Sequence, residues 1–392
     1  MRIETKYIQS DALQCGMDLC KQINKFGHEA YVVGGCVRDL VRWGFGQTDK
    51  PEIHDVDIAT NMPIEALKNC FRTESNNGEA HGTILVFHIY GYPFEVTQFR
   101  KDGAYSDGRH PDTVDFTRDF REDAARRDFT MNAIGMDGDG NLIDPFDGIH
   151  DIDVGIVRAV GDADARFKED ALRIIRGIRF SVNFGYEIEA ETQAAMKANA
   201  ALLNSLSNER VRKEIAAVKN KDCAFQLFMN KLGKLDALDN HPMFEWIDYH
   251  ALHVAALRSR DFGKTSVFTM MTLFSHQSDR QAELCLLTRE EKRQVKWFHK
   301  FWAKRDEMTM PWAELIEFVK GDWNTFLSIL DQRDLPAWAN NIPQAIALSK
   351  MKINQAAISR KLMDEGYEPG PVFGDMVRAE IQKIYQQEVD KM

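Results

Sequence analysis

Between Tyr31 and Asp57 the chain runs from a short apolar strand into Gly34–Gly35, then through an apolar helix to a strand carrying Asp55 and Asp57. No other stretch constrains the fold as tightly. Side chains alternate along a strand, so Asp55 and Asp57 share one face. Acidic residues are scarce in strands, and two on one face repel each other. Glycines let backbone approach phosphate oxygens, and the free N–H groups opening the next helix favour an anion. The pattern predicts a strand, turn, helix, strand unit suited to a divalent metal holding a polyphosphate. Glu95, on the later predicted strand Phe94–Phe99, is a candidate third ligand.

The chain of 392 residues exceeds the usual size of one core, so two to four modules are expected. A hydrophobic content of 44% with 28% charged residues marks a folded chain and excludes a disordered one. No basic-then-apolar leader and no apolar run long enough to span a bilayer are seen, so the expected compartment is the cytoplasm, without membrane partners. Cys15, Cys20, Cys36, Cys70, Cys223 and Cys285 are scattered with no CxxC pair, which reads as reduced packing residues. A net charge of −10 argues against a surface coated for nucleic acid, though not against a local basic groove. Arg158, Arg166, Lys168, Arg173, Arg176 and Arg179 form one candidate; Asp162, Asp164, Glu169 and Asp170 would balance it on a solvated helix face.

Up to about residue 150 the pattern mixes strands and helices. Leu13, Met17, Cys20 and Ile23 predict a helix over Ala12–Phe26. Strands are predicted at Tyr31–Val33 and His54–Ala59, with helices at Val37–Trp43 and from Pro63 to Phe71. Tyr90-Gly91-Tyr92-Pro93 joins Ile84–Ile89 to Phe94–Phe99 as a hairpin. Arg100–Asp119 is polar and aperiodic, which predicts a long functional loop. Beyond about residue 155 helical periodicity takes over, and Thr288 with Glu291 fits a capping box opening a helix to about Lys300. The fold class is α+β: a mixed-sheet head, then an all-helical remainder.

Further motifs carry chemistry. Adjacent Arg126 and Arg127 can meet a triphosphate bidentately, and Asn132 can bond a ribose hydroxyl; two solvated arginines opening a surface helix is the plainer account. Asp170, Arg173 and Arg176 fall at helical spacing on one face, where an ion pair is the plainer account. Cytosine and adenine both show an exocyclic amine donor beside a ring-nitrogen acceptor, and uracil and guanine show the reverse. A carboxylate beside a guanidinium would therefore admit CTP and ATP and reject UTP and GTP. Ser207-Asn-Glu-Arg-Val-Arg-Lys-Glu214 reads as a self-supported helix bracing the site. His250 and His253 share a helical spacing without an acidic partner, and His150-Asp151 in a loop supports no metal phosphohydrolase.

As a set, GGCVRD (Gly34–Asp39), DVD (Asp55–Asp57), FRKDGAYSDGRHPD (Phe99–Asp112), RRDFTMNA (Arg126–Ala133), EDALR (Glu169–Arg173) and SNERVRKE (Ser207–Glu214) resemble the class II tRNA nucleotidyltransferases, the CCA-adding enzymes, with the related bacterial poly(A) polymerases. The resemblance covers about half the chain, in the family's order. It implies a polymerase β-like nucleotidyltransferase head (1–153), a helical neck reading the base (154–225), a body (226–310) and a tRNA-binding tail (311–392). Asp55 and Asp57 would be the catalytic Mg²⁺ ligands. Gly34, Gly35, Arg38, Arg126, Arg127, Asn132, Asp170, Arg173 and Arg176 would bind nucleotide, and Asp102, Asp107 and Arg109 would belong to a loop switching C to A addition. The implied activity is untemplated addition of C, C and A to the tRNA 3′ end from CTP and ATP, by a monomer or homodimer. The alternatives are a poly(A) polymerase, an enzyme adding only CC or only A, and a non-catalytic RNA-binding relative. The mixed charges of residues 351–392 disfavour the first, the loop favours full CCA addition, and the intact Asp55 and Asp57 disfavour the last.

Overall fold

Leu13, Met17, Cys20 and Ile23 do fall on one buried face of helix α1 (Asp11–Lys25), and that face packs on the strand that follows. The computed structural model describes residues 1–53, 55–75, 78–103, 105, 113–218, 224–244, 247, 267–321, 323–330, 335–370 and 372–391. The chain divides into two compact units, Met1–Pro242 and Met243–Met392.

The first unit is built on strands β1 (Ala30–Val33), β2 (Asp57–Thr60), β3 (Arg72–Glu74), β4 (Thr83–Phe87) and β5 (Pro93–Gln98). After a separate ladder of β6 (Arg100–Asp102) and β7 (Val114–Phe116) come β8 (Gly135–Met136) and β9 (Leu142–Ile143). The seven-stranded sheet has the order β3-β4-β5-β2-β1-β8-β9. Only β2 and β5 run parallel in it; the other neighbours are antiparallel. Helices α2 (Gly35–Gly44), α3 (Ile64–Cys70), α4 (Phe120–Ala125) and α5 (Gly148–Val154) complete this part. Val33, Ala59, Phe99, Phe120, Ala124, Ala133 and Val160 form a buried cluster beneath the strand ends.

Three expectations are corrected here. β2 starts at Asp57, so Asp55 precedes the strand. Its partner β1 ends at Val33, opposite Asp57, and Gly34 turns the chain away at φ 77°, leaving earlier residues nothing to pair with. The alternation still holds: Asp55 and Asp57 are exposed while Val56 and Ile58 are buried. Within the polar stretch Arg100–Asp119, β6 and β7 pair antiparallel, Arg100 opposite Phe116 and Asp102 opposite Val114. Pro63 caps α3 from outside rather than starting it.

Among the described residues after about 155 the secondary structure is helical apart from isolated bridges and one two-residue parallel ladder, β10 (Ile156–Val157) with β11 (Glu187–Ile188). Helices α6 (Ala163–Glu169), α7 (Leu172–Phe184), α8 (Ala190–Ala198), α9 (Asn208–Ala216) and α10 (Ala224–Lys234) make up the rest of the first unit. The predicted single helix through Asp170, Arg173 and Arg176 is broken. Asp170 lies between α6 and α7 in extended backbone, where its side chain accepts the Leu172 N–H and so opens α7. Gly177 lets α7 press on the sheet-bearing part: a Cβ there would come within 2.8 Å of the Phe129 ring.

The second unit is helical throughout its described residues, apart from one isolated bridge. Phe244, Phe298, Phe301, Phe318, Phe326 and Trp338 are fully buried aromatics among its described residues, each worth roughly 1.5–3 kcal/mol of burial. Thr288 and Glu291 form the expected capping box at the head of Arg289–Trp302. His54, Asp107, Arg109, His250 and His253 lie outside the described residues. Among the described residues no helix is long and apolar enough to cross a membrane.

Candidate active site

Asp57 meets the glycine turn at the start of β2. An ideal Cβ on Gly34 would sit 3.6 Å from Asp57 Oδ2, ordinary contact, so it is the positive φ that demands glycine there. On parallel β2 and β5, Asp57 and Glu95 each stand one residue before the Ile58–Val96 pair. The Asp57 carboxyl is pushed up from its ordinary range although its outer side meets solvent. The protein packed beneath it removes water, Glu95 adds like charge, Arg127 partly offsets both, and Asp55 adds the remainder. Such crowded negative charge fits a divalent cation. Among the described residues no three His, Cys, Asp or Glu side chains converge as a closed metal cage. A divalent cation can be held by one or two carboxylates and complete its shell with substrate phosphate and water, which is compatible with the residues present.

Arg127, just past the end of α4, acts on Asp57 by its charge, and Asp123 holds both it and its neighbour Arg126. Its Oδ1 accepts from Arg126 Nε at 2.9 Å and its Oδ2 from Arg127 Nη2 at 3.1 Å. Burial works against a charge at Asp123, but the two guanidiniums outweigh it and hold its carboxyl below the usual range. Arg127 Nε is buried without a hydrogen-bond partner. Sequence reasoning missed Asp123, although its spacing of three and four from the arginines was a signal.

Asp170 and Arg173 are both held from behind. Asp170 Oδ2 accepts from Arg210 Nη2 at 2.8 Å, across from α9. Arg173 Nη1 donates to Glu169 Oε2 at 2.7 Å and to the Arg166 carbonyl at 3.1 Å, and its Nη2 donates to the Arg126 carbonyl at 3.0 Å. Those contacts occupy three of the five guanidinium N–H groups. The Arg126 contact joins the two groups of candidate residues.

Three candidate nucleotide contacts have donors engaged inside the protein. Arg38 donates to both oxygens of Asp39 and, through Nη1 at 2.9 Å, to Asn132 Oδ1, with its guanidinium over the Phe180 and Phe184 rings. Asn132 in turn donates to Asp128 Oδ1 at 3.0 Å. Arg176 grips Asp128 Oδ2 through Nε and Nη2 at 2.9 and 2.7 Å and reaches Glu214 at 3.4 Å. Glu214 also accepts from Arg179 Nε at 2.7 Å. Burial disfavours a charged Asp128, yet Arg176 and the Asn132 hydrogen bond prevail and draw its carboxyl down to about 2. Glu214 of the Ser207–Glu214 motif thus braces α7, the role expected for that motif. Asp102 is sequestered as well: its Oδ2 accepts the Tyr105 hydroxyl at 2.6 Å and lies 3.8 Å from Arg126 Nη1.

A carboxylate pair at the start of a sheet strand, a glycine turn and neighbouring arginines fit a nucleotidyltransferase. Residues 30–158 match the poly A polymerase head domain, and residues 185–217 match the probable RNA and SrmB-binding site of polymerase A. A CCA-adding enzyme of Streptococcus agalactiae serotype V is 34% identical over 395 residues, covering 95% of this chain and 92% of that protein. The match to the CCA-adding enzyme of Lactobacillus johnsonii is 41% identical over 223 residues, 56% of this chain and 54% of that one. It therefore spans about half the length of that relative. The crystal structure of Bacillus stearothermophilus CCA-adding enzyme in complex with CTP superposes with a TM-score of 0.74 at 26% identity, covering 97% of this chain and 94% of that one. The chain belongs to the CCA-adding enzyme family.

Proposed function

We propose that this chain adds C, C and A in turn to the 3′ end of tRNA, using CTP and ATP without a nucleic-acid template. The tRNA 3′-hydroxyl attacks the α-phosphorus, the bond to the β-phosphate oxygen breaks, and pyrophosphate leaves. Asp55 and Asp57 are the residues that would hold divalent metal, with Glu95 as the candidate third ligand. Bound there, Mg²⁺ would favour ionisation of the attacking hydroxyl and neutralise the departing pyrophosphate. Arg126 and Arg127 orient the triphosphate. Asp170 accepts from the exocyclic amine and Arg173 donates to the ring nitrogen, which admits cytosine and adenine edges and leaves uracil and guanine mismatched. Arg38, Asn132 and Arg176 serve as braces. The observation that carries this reading is the bond from Arg173 to the Arg126 carbonyl, which makes base edge and phosphates parts of one registered site.

Division into head, neck, body and tail at residues 153, 225 and 310, tRNA contacts in the tail, and a cytoplasmic home are parts of the same proposal. So is the switching role of the loop containing Asp102. The test is incubation with tRNA lacking its terminal CCA, Mg²⁺ and each labelled nucleotide. Addition of two C residues followed by one A is expected. Long tails from ATP alone would replace the reading with a poly(A) polymerase, and equal use of UTP would remove the Asp170–Arg173 base reader.

A further inference from the structure

We propose that Asp123 is a positioning residue for the phosphate-binding arginines, and that it sets the affinity of the site for the pyrophosphate part of the nucleotide. This rests on the reading that Arg126 and Arg127 meet the triphosphate. Asp123 is fully buried. Its two oxygens are divided between neighbours: Oδ1 takes Arg126 Nε and Nη2, each at 2.9 Å, and Oδ2 takes Arg127 Nη2 at 3.1 Å. Oδ1 also accepts the Arg100 backbone N–H at 3.3 Å. That last contact pins the carboxylate to the strand leaving the sheet, so the arginines are referenced to the frame carrying Asp57.

A long guanidinium side chain has many rotamers, and fixing one before the ligand arrives removes that entropy from the cost of binding. Asp123 does so for both arginines at once. One carboxylate serving two guanidiniums leaves the pair with net positive charge, which an anion can use. The geometry also decides which donors remain. Arg127 spends Nη2 on Asp123, while its buried Nε is left without a partner. Nε is closed off by protein, so an incoming phosphate oxygen has to use the Nη groups, whose orientation Asp123 sets.

The experiment is titration of the full chain with inorganic pyrophosphate in Mg²⁺, followed by calorimetry, alongside nucleotide kinetics. Asp123→Asn keeps the shape and removes the charge, and it should weaken pyrophosphate binding about tenfold, as loss of an orienting partner does in metal sites. KM for CTP should rise by a similar factor, while the preference for CTP over UTP stays as it was. A purely structural role would instead lower the melting temperature and leave the pyrophosphate affinity of the folded fraction unchanged. Asp123→Glu keeps the buried charge paired but displaces it by one methylene. It should fold and weaken pyrophosphate binding less than the Asn variant does. It decides the matter if the Asn variant does not fold. Unchanged affinity in the folded variants overturns the inference about Asp123. Unchanged affinity in Arg126→Ala and Arg127→Ala overturns instead the reading it rests on.

Discussion

Replacing Asp128 by Asn tests the ion pair that ties α7 to the sheet-bearing part. The carboxylate titrates at about 2 in the fold, against an ordinary value near 3.9. That gap of roughly two units corresponds to about 2–3 kcal/mol of stability at neutral pH. Breaking a buried pair can cost about 3–5 kcal/mol when the partner is stranded. Here Arg176 retains Glu214 at 3.4 Å, so the lower figure applies. The folded-state pKa is depressed, so the contribution is complete above the unfolded value and disappears as pH falls through the folded one. The difference between wild type and Asp128→Asn should be constant from pH 7 to about 5, roughly halve near pH 3, and nearly vanish at about pH 2. Urea is the appropriate denaturant, since guanidinium salts screen the pair. Amide exchange in the α7 segment reads the first unit apart from the second. A loss below about 0.5 kcal/mol at pH 7 would put the pair among surface bridges. A loss that did not change down to pH 3 would refute the electrostatic account.

Three further outcomes follow from the site. Asp57→Asn should abolish nucleotide addition while raising the melting temperature, because the fold already disfavours the Asp57 charge; a lowered melting temperature would contradict that. Gly34→Ala should cost about 1–2 kcal/mol in thermal or urea unfolding, from forcing a side chain into positive φ; an unchanged stability would mean the turn can refold around the methyl. Arg210→Ala removes the partner of Asp170 and should reduce discrimination between CTP and UTP about tenfold with little effect on pyrophosphate affinity. An unaltered CTP:UTP ratio in single-nucleotide assays would show that Asp170 needs no such support.

The glycine turn and the acidic pair were legible because short-range order and strand alternation alone place Asp55 and Asp57 on one face. The alternation survives although the strand itself starts later, at Asp57. Arg126 and Arg127 were legible as cations, but their holder was not weighed, since a lone Asp in a charged stretch looks like solvated surface. The partners of Arg38 and Arg176 lie far off in sequence, where spacing does not show them. Asn132 is 94 residues from Arg38, and Asp128 is 48 from Arg176. Helical spacing put Asp170 and Arg173 on one helix; the carboxylate's bond to the Leu172 N–H instead opens a new helix between them. Pairing as brief as that of β6 with β7, or β10 with β11, leaves too few alternating residues to register as strands.

The break at Asp170 changes what would be needed to alter the base that is read. On one continuous helix, acceptor and donor would move together, and exchanging two side chains would rewrite the specificity. Here the acceptor is held by α9 through Arg210, and the donor by α6 through Glu169 and by the arginine corner through the Arg126 carbonyl. The reader is composed of residues on separate elements, each with its own anchor. Converting it to accept uracil would require reversing donor and acceptor and re-anchoring both, so no single substitution yields a competent reader of the opposite pattern. On the proposed function, fidelity without a template strand would then be a property of the fold's connectivity, protected against drift one mutation at a time.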